Sequence, residues 1–219
     1  MKPTTTMLLF VICGLLLAAC GEEEVTEPTG PHPGLLDPSQ AVETAPAVFK
    51  AQFECSNGTF VIECHREWAP RGADRFYNLV KCGFYDECRF FRVMKNFVVQ
   101  WGVNGDPLVS KNWRTARIPD DPRGPETPSN TTGYVTFATS GADSRTTQLF
   151  INYKDQNRSL DRSGFIVFGK VVQGMDVVNG IEGKYQQQPQ QPSIQTQGNT
   201  YLKSTFPDLD YIKKARLLD

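Results

Sequence analysis

The sequence predicts a mainly β fold: a closed antiparallel barrel capped by two helices. Three observations carry that expectation. Many short strand-like runs alternate with turn residues, the first two runs are joined through Asn57-Gly58, and only two stretches have helical spacing. The interior of a small barrel is filled by its own side chains, so a binding site is expected on the outer wall.

Taken in order, residues 48–55 and 59–64 read as two strands, and Asn-Gly between alternating runs is a strong hairpin signal. Pro70 suits the first turn of a helix, with Ala73, Phe76, Leu79 and Val80 on one face and Gly83 at its stop. Residues 90–93 and 97–101 form two further strands around Lys95-Asn96. Residues 102–129 are rich in Gly, Pro, Asp and Asn and predict a long surface loop. Strands resume at 135–138, 149–152 and 165–172, and 176–181 is a short helical stretch with Val177, Val178 and Ile181 turned inward. Glutamine and proline over 186–197 predict an irregular insertion, and 211–218 a closing strand.

The N-terminal part has a different character. Lys2 followed by an apolar run over residues 7–19 reads as a secretory signal peptide, because a membrane span needs about 20 apolar residues. Its end, Leu17-Ala18-Ala19-Cys20-Gly21, resembles the bacterial lipoprotein box, in which the cysteine is acylated. An ordinary cleaved signal with an incidental Cys20 is the alternative. The organisation expected is therefore a signal over 1–19, an acylated Cys20 opening a disordered acidic and proline-rich tether over 20–46, and one domain over 47–219. The partner expected for this part is a membrane, through the lipid anchor. The lipoprotein resemblance implies a periplasm-facing location in the cell envelope, and Gly21 after the cysteine implies the outer membrane. Lys and Arg number 23 against 24 Asp and Glu, a net charge of −1 that argues against nucleic acid as a partner.

Beyond the signal and Cys20 there are four cysteines, Cys55, Cys64, Cys82 and Cys88. An extracytoplasmic address permits disulfides, with three connectivities open; the short Cys82–Cys88 loop is the first candidate. No Cys-x-x-Cys spacing occurs, and His32 and His65 complete no metal set, so neither metal nor cofactor is expected. Asn57, Asn130 and Asn157 head glycosylation sequons by pattern, which a bacterial lipoprotein start makes incidental.

The chemistry concentrates at residues 90–100, Phe-Phe-Arg-Val-Met-Lys-Asn-Phe-Val-Val-Gln, where an arginine and a glutamine interrupt an apolar run. Two-residue alternation puts Phe90, Arg92 and Met94 on one face and Phe91 and Val93 on the other. A lone strand arginine ordinarily reaches solvent or pairs with a carboxylate. Two further stretches argue for more: residues 133–152, Gly-Tyr-Val-Thr-Phe-Ala-Thr-Ser-Gly-Ala-Asp-Ser-Arg-Thr-Thr-Gln-Leu-Phe-Ile-Asn, and residues 160–169, Leu-Asp-Arg-Ser-Gly-Phe-Ile-Val-Phe-Gly. In this order and spacing the three stretches resemble the cyclophilin family of peptidyl-prolyl cis-trans isomerases, over roughly residue 47 to the C-terminus.

That resemblance implies an eight-stranded barrel, a monomer, and proline-containing polypeptides as substrates. It implies Arg92 as the catalytic guanidinium with Gln100 beside it. It also implies a proline pocket of Phe97, Val98, Phe150, Leu160 and Phe165, a polar position at Gln148, and a backbone rail at Ala138 and Thr139. Rotation about an Xaa-Pro bond faces a barrier of about 18–20 kcal/mol because resonance stiffens the C–N bond. Twisting leaves a lone pair on the proline nitrogen, so a permanent cation beside it stabilises the transition state more than the planar ground state, with no nucleophile and no metal. Departures from the best-known family pattern are Val98 for methionine, Thr139 for asparagine and Phe165 for histidine. Ser159 stands where the tryptophan associated with cyclosporin binding is found, which implies weak sensitivity to that inhibitor. A non-catalytic barrel that only holds proline-containing segments and a structural envelope lipoprotein are the competing readings.

Overall fold

The computed structural model describes Met1 and residues 30–218; the signal-peptide and Cys20 expectations lie outside the described residues. One antiparallel sheet organises the chain: β1 (Val48–Cys55), β2 (Gly58–His65), β3 (Arg92–Val93), β4 (Val98–Trp101), β5 (Tyr134–Phe137), β6 (Leu149–Asn152), β7 (Val167–Gln173) and β8 (Ile212–Leu218). Their order across the sheet is β3-β4-β6-β5-β7-β2-β1-β8. The sheet is an open half-barrel, which corrects the expected closed one. β3 is only two residues long, and beside β8 there is an isolated bridge, Arg89 to Tyr211, rather than a ladder. One face of the sheet packs Phe53, Phe60, Tyr85, Trp101, Phe137 and Phe168 into a common core.

Among the described residues there are four α-helices rather than two: α1 (Pro70–Lys81), α2 (Pro107–Trp113), α3 (Met175–Gly180) and α4 (Gln191–Thr205). α1 buries Phe76 against Phe53 and Phe168, at ring-centroid distances of 6.1 and 5.1 Å. Ala69 offers no side-chain cap, and the first-turn N–H groups of Arg71 and Gly72, which have no partner within the helix, donate instead to the Asp121 carboxylate, each at 2.9 Å. α2 lies inside the expected loop and has its own start signal, Asp106 accepting from the Leu108 N–H ahead of Pro107. α4 replaces the expected irregular insertion. Pro192 is tolerated in its first turn, and Ile194 and Leu202 are buried with Phe91, Val103, Phe206 and Leu209 in a second apolar cluster. The helix kinks at Gly198, whose φ of 58° and closeness to the Gly105 carbonyl leave no room for a Cβ.

Residues 33–46, expected in the disordered tether, are packed on the domain. Pro33 and Pro38 each open a short 3-10 turn, the Leu35 carbonyl accepts from Trp113 Nε1 at 2.9 Å, and the Ala45 N–H donates to Asp74 at 2.9 Å. Proline supplies a preset φ, and partners on α1 and α2 satisfy backbone groups that the local sequence leaves open. The disulfide expectation is also corrected. All four cysteines are free and buried, with Cys82 Sγ bonded to the Leu79 carbonyl and Cys88 Sγ to the Phe84 carbonyl, both at 3.5 Å. Burial raises the Cys82 thiol to about 11 and the Cys55 thiol to about 12, so they behave as small apolar side chains.

Candidate active site

Register builds the site. Arg92 lies opposite Gln100, Gln100 opposite Phe150, and Phe150 opposite Thr136, so one row of side chains crosses β3, β4, β6 and β5. The adjacent row, Val93, Val99, Ile151 and Val135, belongs to the core, which leaves the first row on the outer wall. The expected alternation fails one step earlier. Phe90 and Val93 both enter the core while Phe91 joins the outer cluster, because residues 90 and 91 precede β3 and do not follow its pleat.

Arg92 is half-buried. Its Nη1 donates to Gln100 Oε1 at 3.1 Å, and its guanidinium carbon lies 5.6 Å from the centre of the Phe97 ring. Gln100 Nε2 donates to Gln148 Oε1 at 2.8 Å. The nearby cation Lys95 is occupied elsewhere, with its ammonium held by the carbonyls of Asn179 and Ile181. On the apolar side Val98 lies two residues from Gln100 on the same strand face, and Phe150 meets Phe165 edge-to-face at 5.7 Å. Leu160 is half-buried in the 3-10 segment Asp155–Ser163 and is tied to the group through its carbonyl, which accepts from the Phe165 N–H at 3.3 Å. The Ala138 N–H donates to the Gln148 carbonyl at 2.9 Å. Thr139 turns its hydroxyl into its own loop, toward the Gly141 carbonyl and Ser144 Oγ, which leaves its backbone as the part available to a ligand.

Sequence reasoning missed what holds the aromatic residues in place. Asn130, Asn152 and Asn157 are all buried and hydrogen-bonded together. Asn157 Nδ2 donates to Asn152 Oδ1 and to the Phe97 carbonyl, both at 2.8 Å. Asn152 Nδ2 donates to Asn130 Oδ1 at 3.1 Å, and Asn130 Nδ2 donates to the Phe165 carbonyl at 2.8 Å. The network therefore links the loops that carry Phe97 and Phe165, and the burial of Asn130 and Asn157 withdraws both from glycosylation in the folded chain. Asp161 extends it by accepting from Asn130. Burial opposes ionisation of this carboxyl, but the bonds from Asn130 and Ser129 outweigh that and hold it below its ordinary value. The signal available in the sequence was Asn152, a polar residue ending the apolar run Leu-Phe-Ile.

A guanidinium with neutral amide partners, beside an aromatic cluster on an outer strand wall, suits a reaction that needs polarisation and no bond cleavage. The chain belongs to the cyclophilin-type peptidyl-prolyl cis-trans isomerases: the family model "Cyclophilin type peptidyl-prolyl cis-trans isomerase/CLD" matches residues 50–198. A peptidyl-prolyl cis-trans isomerase of Acinetobacter baylyi is 38% identical over 146 residues, 62% of this chain and 76% of that protein. Peptidyl-prolyl cis-trans isomerase B of Escherichia coli is 32% identical over 138 residues, 60% of this chain and 82% of that protein. The crystal structure of a cyclophilin-type isomerase from Cryptosporidium parvum superposes with a TM-score of 0.57 at 19% identity, covering 78% of this chain and 98% of that one, and shares the fold. The chain is thus an enzyme that catalyses rotation about Xaa-Pro bonds in proline-containing polypeptides.

Proposed function

We propose that Arg92 is the catalytic group of this isomerase and that Gln100 orients it. The observation that carries this reading is the neutral company of the guanidinium: it bonds an amide oxygen, and no carboxylate stands within ion-pairing distance of it among the described residues. Its charge is therefore available to the lone pair that appears on the proline nitrogen as the bond twists. Phe97, Val98, Phe150, Leu160 and Phe165 grip the proline ring, Gln148 donates toward the substrate backbone, and the main chain at Ala138 and Thr139 lies alongside it.

Arg92→Ala tests the assignment in a protease-coupled isomerisation assay on an Ala-Pro peptide. Loss of a preorganised transition-state donor lowers kcat by about 10²–10³-fold with the fold retained. A variant that keeps its turnover overturns the role of Arg92.

The setting completes the proposal. Acylation of Cys20 tethers a monomeric enzyme to the cell envelope, facing the periplasm from the outer membrane, where exposed Xaa-Pro bonds of folding proteins are its substrates. The lipoprotein-like Leu17-Ala18-Ala19-Cys20 supports this. Incorporation of labelled palmitate into the wild-type chain, abolished in Cys20→Ala, is the expected result; an unlabelled wild type refutes the anchor.

A further inference from the structure

We infer that Gln191, contributed by α4, is a positioning residue for the isomerase arginine, and this rests on the reading of Arg92 as the catalytic group. The hydrogen bonds of the site continue past Gln148, whose Nε2 donates to Gln191 Oε1 at 2.9 Å. A guanidinium has donors and no acceptor, so Gln100 must turn its oxygen to Arg92 and its nitrogen to Gln148. Gln148 must then turn its oxygen to Gln100 and its nitrogen outward, and Gln191 supplies the acceptor that the outward nitrogen needs. The polarity set at Arg92 thus runs through three amides and ends on α4. Without the last acceptor, Gln148 is held at one end only, and the orientation of Gln100 against Arg92 loosens with it.

The segment that carries Gln191 is held firmly. One turn on, Ile194 is fully buried in the cluster that also contains Phe91, the neighbour of Arg92. On the other side, the Gln186 carbonyl accepts from the Val93 N–H at 2.9 Å, so the chain leading into α4 is bonded to β3 itself. Between these two ties lies a cavity of about 350 Å³ bordered by Arg92, Phe91, Pro189 and Gln191. The glutamine- and proline-rich segment is therefore a wall of the site, with its proline rings supplying rigidity and Gln191 the polar contact.

The experiment is a double-mutant cycle on the full chain, Gln191→Met and Gln148→Met singly and together, with kcat and KM measured separately and Arg92→Ala beside them. Gln191→Met is expected to lower kcat about three- to tenfold with KM and melting temperature little changed, and to add nothing in the Gln148→Met background. An unchanged kcat in Gln191→Met, or a loss that multiplies fully with that of Gln148→Met, overturns the inference while leaving Arg92 in its role. Turnover surviving in Arg92→Ala overturns both. If Gln191→Met lowers melting temperature and raises KM with kcat intact, Gln191 serves only to pack α4 and the inference fails.

Discussion

Two arginines in this molecule meet opposite company: Arg92 stands half-buried in β3, and Arg145 lies in the loop before β6. Arg145 is buried, and so is the carboxylate of Asp121 that it pairs with at 3.0 Å; Asp120 stands 3.2 Å from its Nε. Asp121 also receives the first N–H groups of α1, so this ion pair joins the loop before β6 to the start of a helix. Arg92 meets amide oxygen and an aromatic face instead, and keeps partial exposure. A guanidinium answered by two carboxylates has its field cancelled and acts as a fastener. One answered by a dipole keeps a net charge that a substrate can feel.

Breaking the fastener should have the largest effect. Arg145→Ala leaves Asp121 as an uncompensated buried charge and is expected to cost about 3–5 kcal/mol in denaturant unfolding, while the molecules that remain folded isomerise normally. Arg92→Ala should do the reverse, lowering turnover and leaving the unfolding midpoint nearly unmoved. If both variants lost stability and activity alike, the contrast would collapse. Asn130→Ala sharpens it on the site's own side. It strips partners from Thr136, Asn152 and the Phe165 carbonyl, and about 1–3 kcal/mol of stability should go, with KM rising as the pocket loosens.

The smallest effect concerns pH. Burial opposes ionisation of Asp74, but Arg66 and the Ala45 N–H outweigh it, and the carboxyl sits below its ordinary 3.8; Asp161 is lowered in the same sense. A folded-state value below the unfolded one means that their contribution is complete above about pH 5 and is lost as pH falls through the lowered values. Stability should therefore decline on the acid side below about pH 4. Activity per folded molecule should stay level from pH 5 to 8, because a guanidinium and neutral amides exchange no proton there. A bell-shaped activity profile in that range would show that a titrating group takes part.

How much was legible depended on whether a residue's role is local. Asn57-Gly58 makes its hairpin through its own backbone preferences, and Pro70 with the Ala73, Phe76 and Leu79 stripe makes α1, so both were readable. Asp106-Pro107 carried an equally local start signal for α2 and was obscured by the loop-like composition around it. By contrast, nothing near Asn130 in the chain announces that Asn152 and Asn157 will meet it in the interior. The pairing of Gln148 with Gln191 joins residues whose separation in sequence conceals any relation. The four cysteines misled for the same reason: number and spacing permit disulfides, and only the fold decides whether two thiols meet in bonding geometry; here all four stay free.

The sequence by itself determined the family, the run of strands, and the placing of an arginine among aromatic residues, because each of these is written in residue type and short spacing. Tertiary structure alone decided that the sheet stays open beside β3, and that residues 33–46 are held against α1 and α2 rather than left as tether. It also decided that a glutamine-rich stretch becomes a helix reaching the site. Those outcomes depend on which buried donors find acceptors and which apolar faces find cover, and such matches are made across long stretches of chain by the folded core.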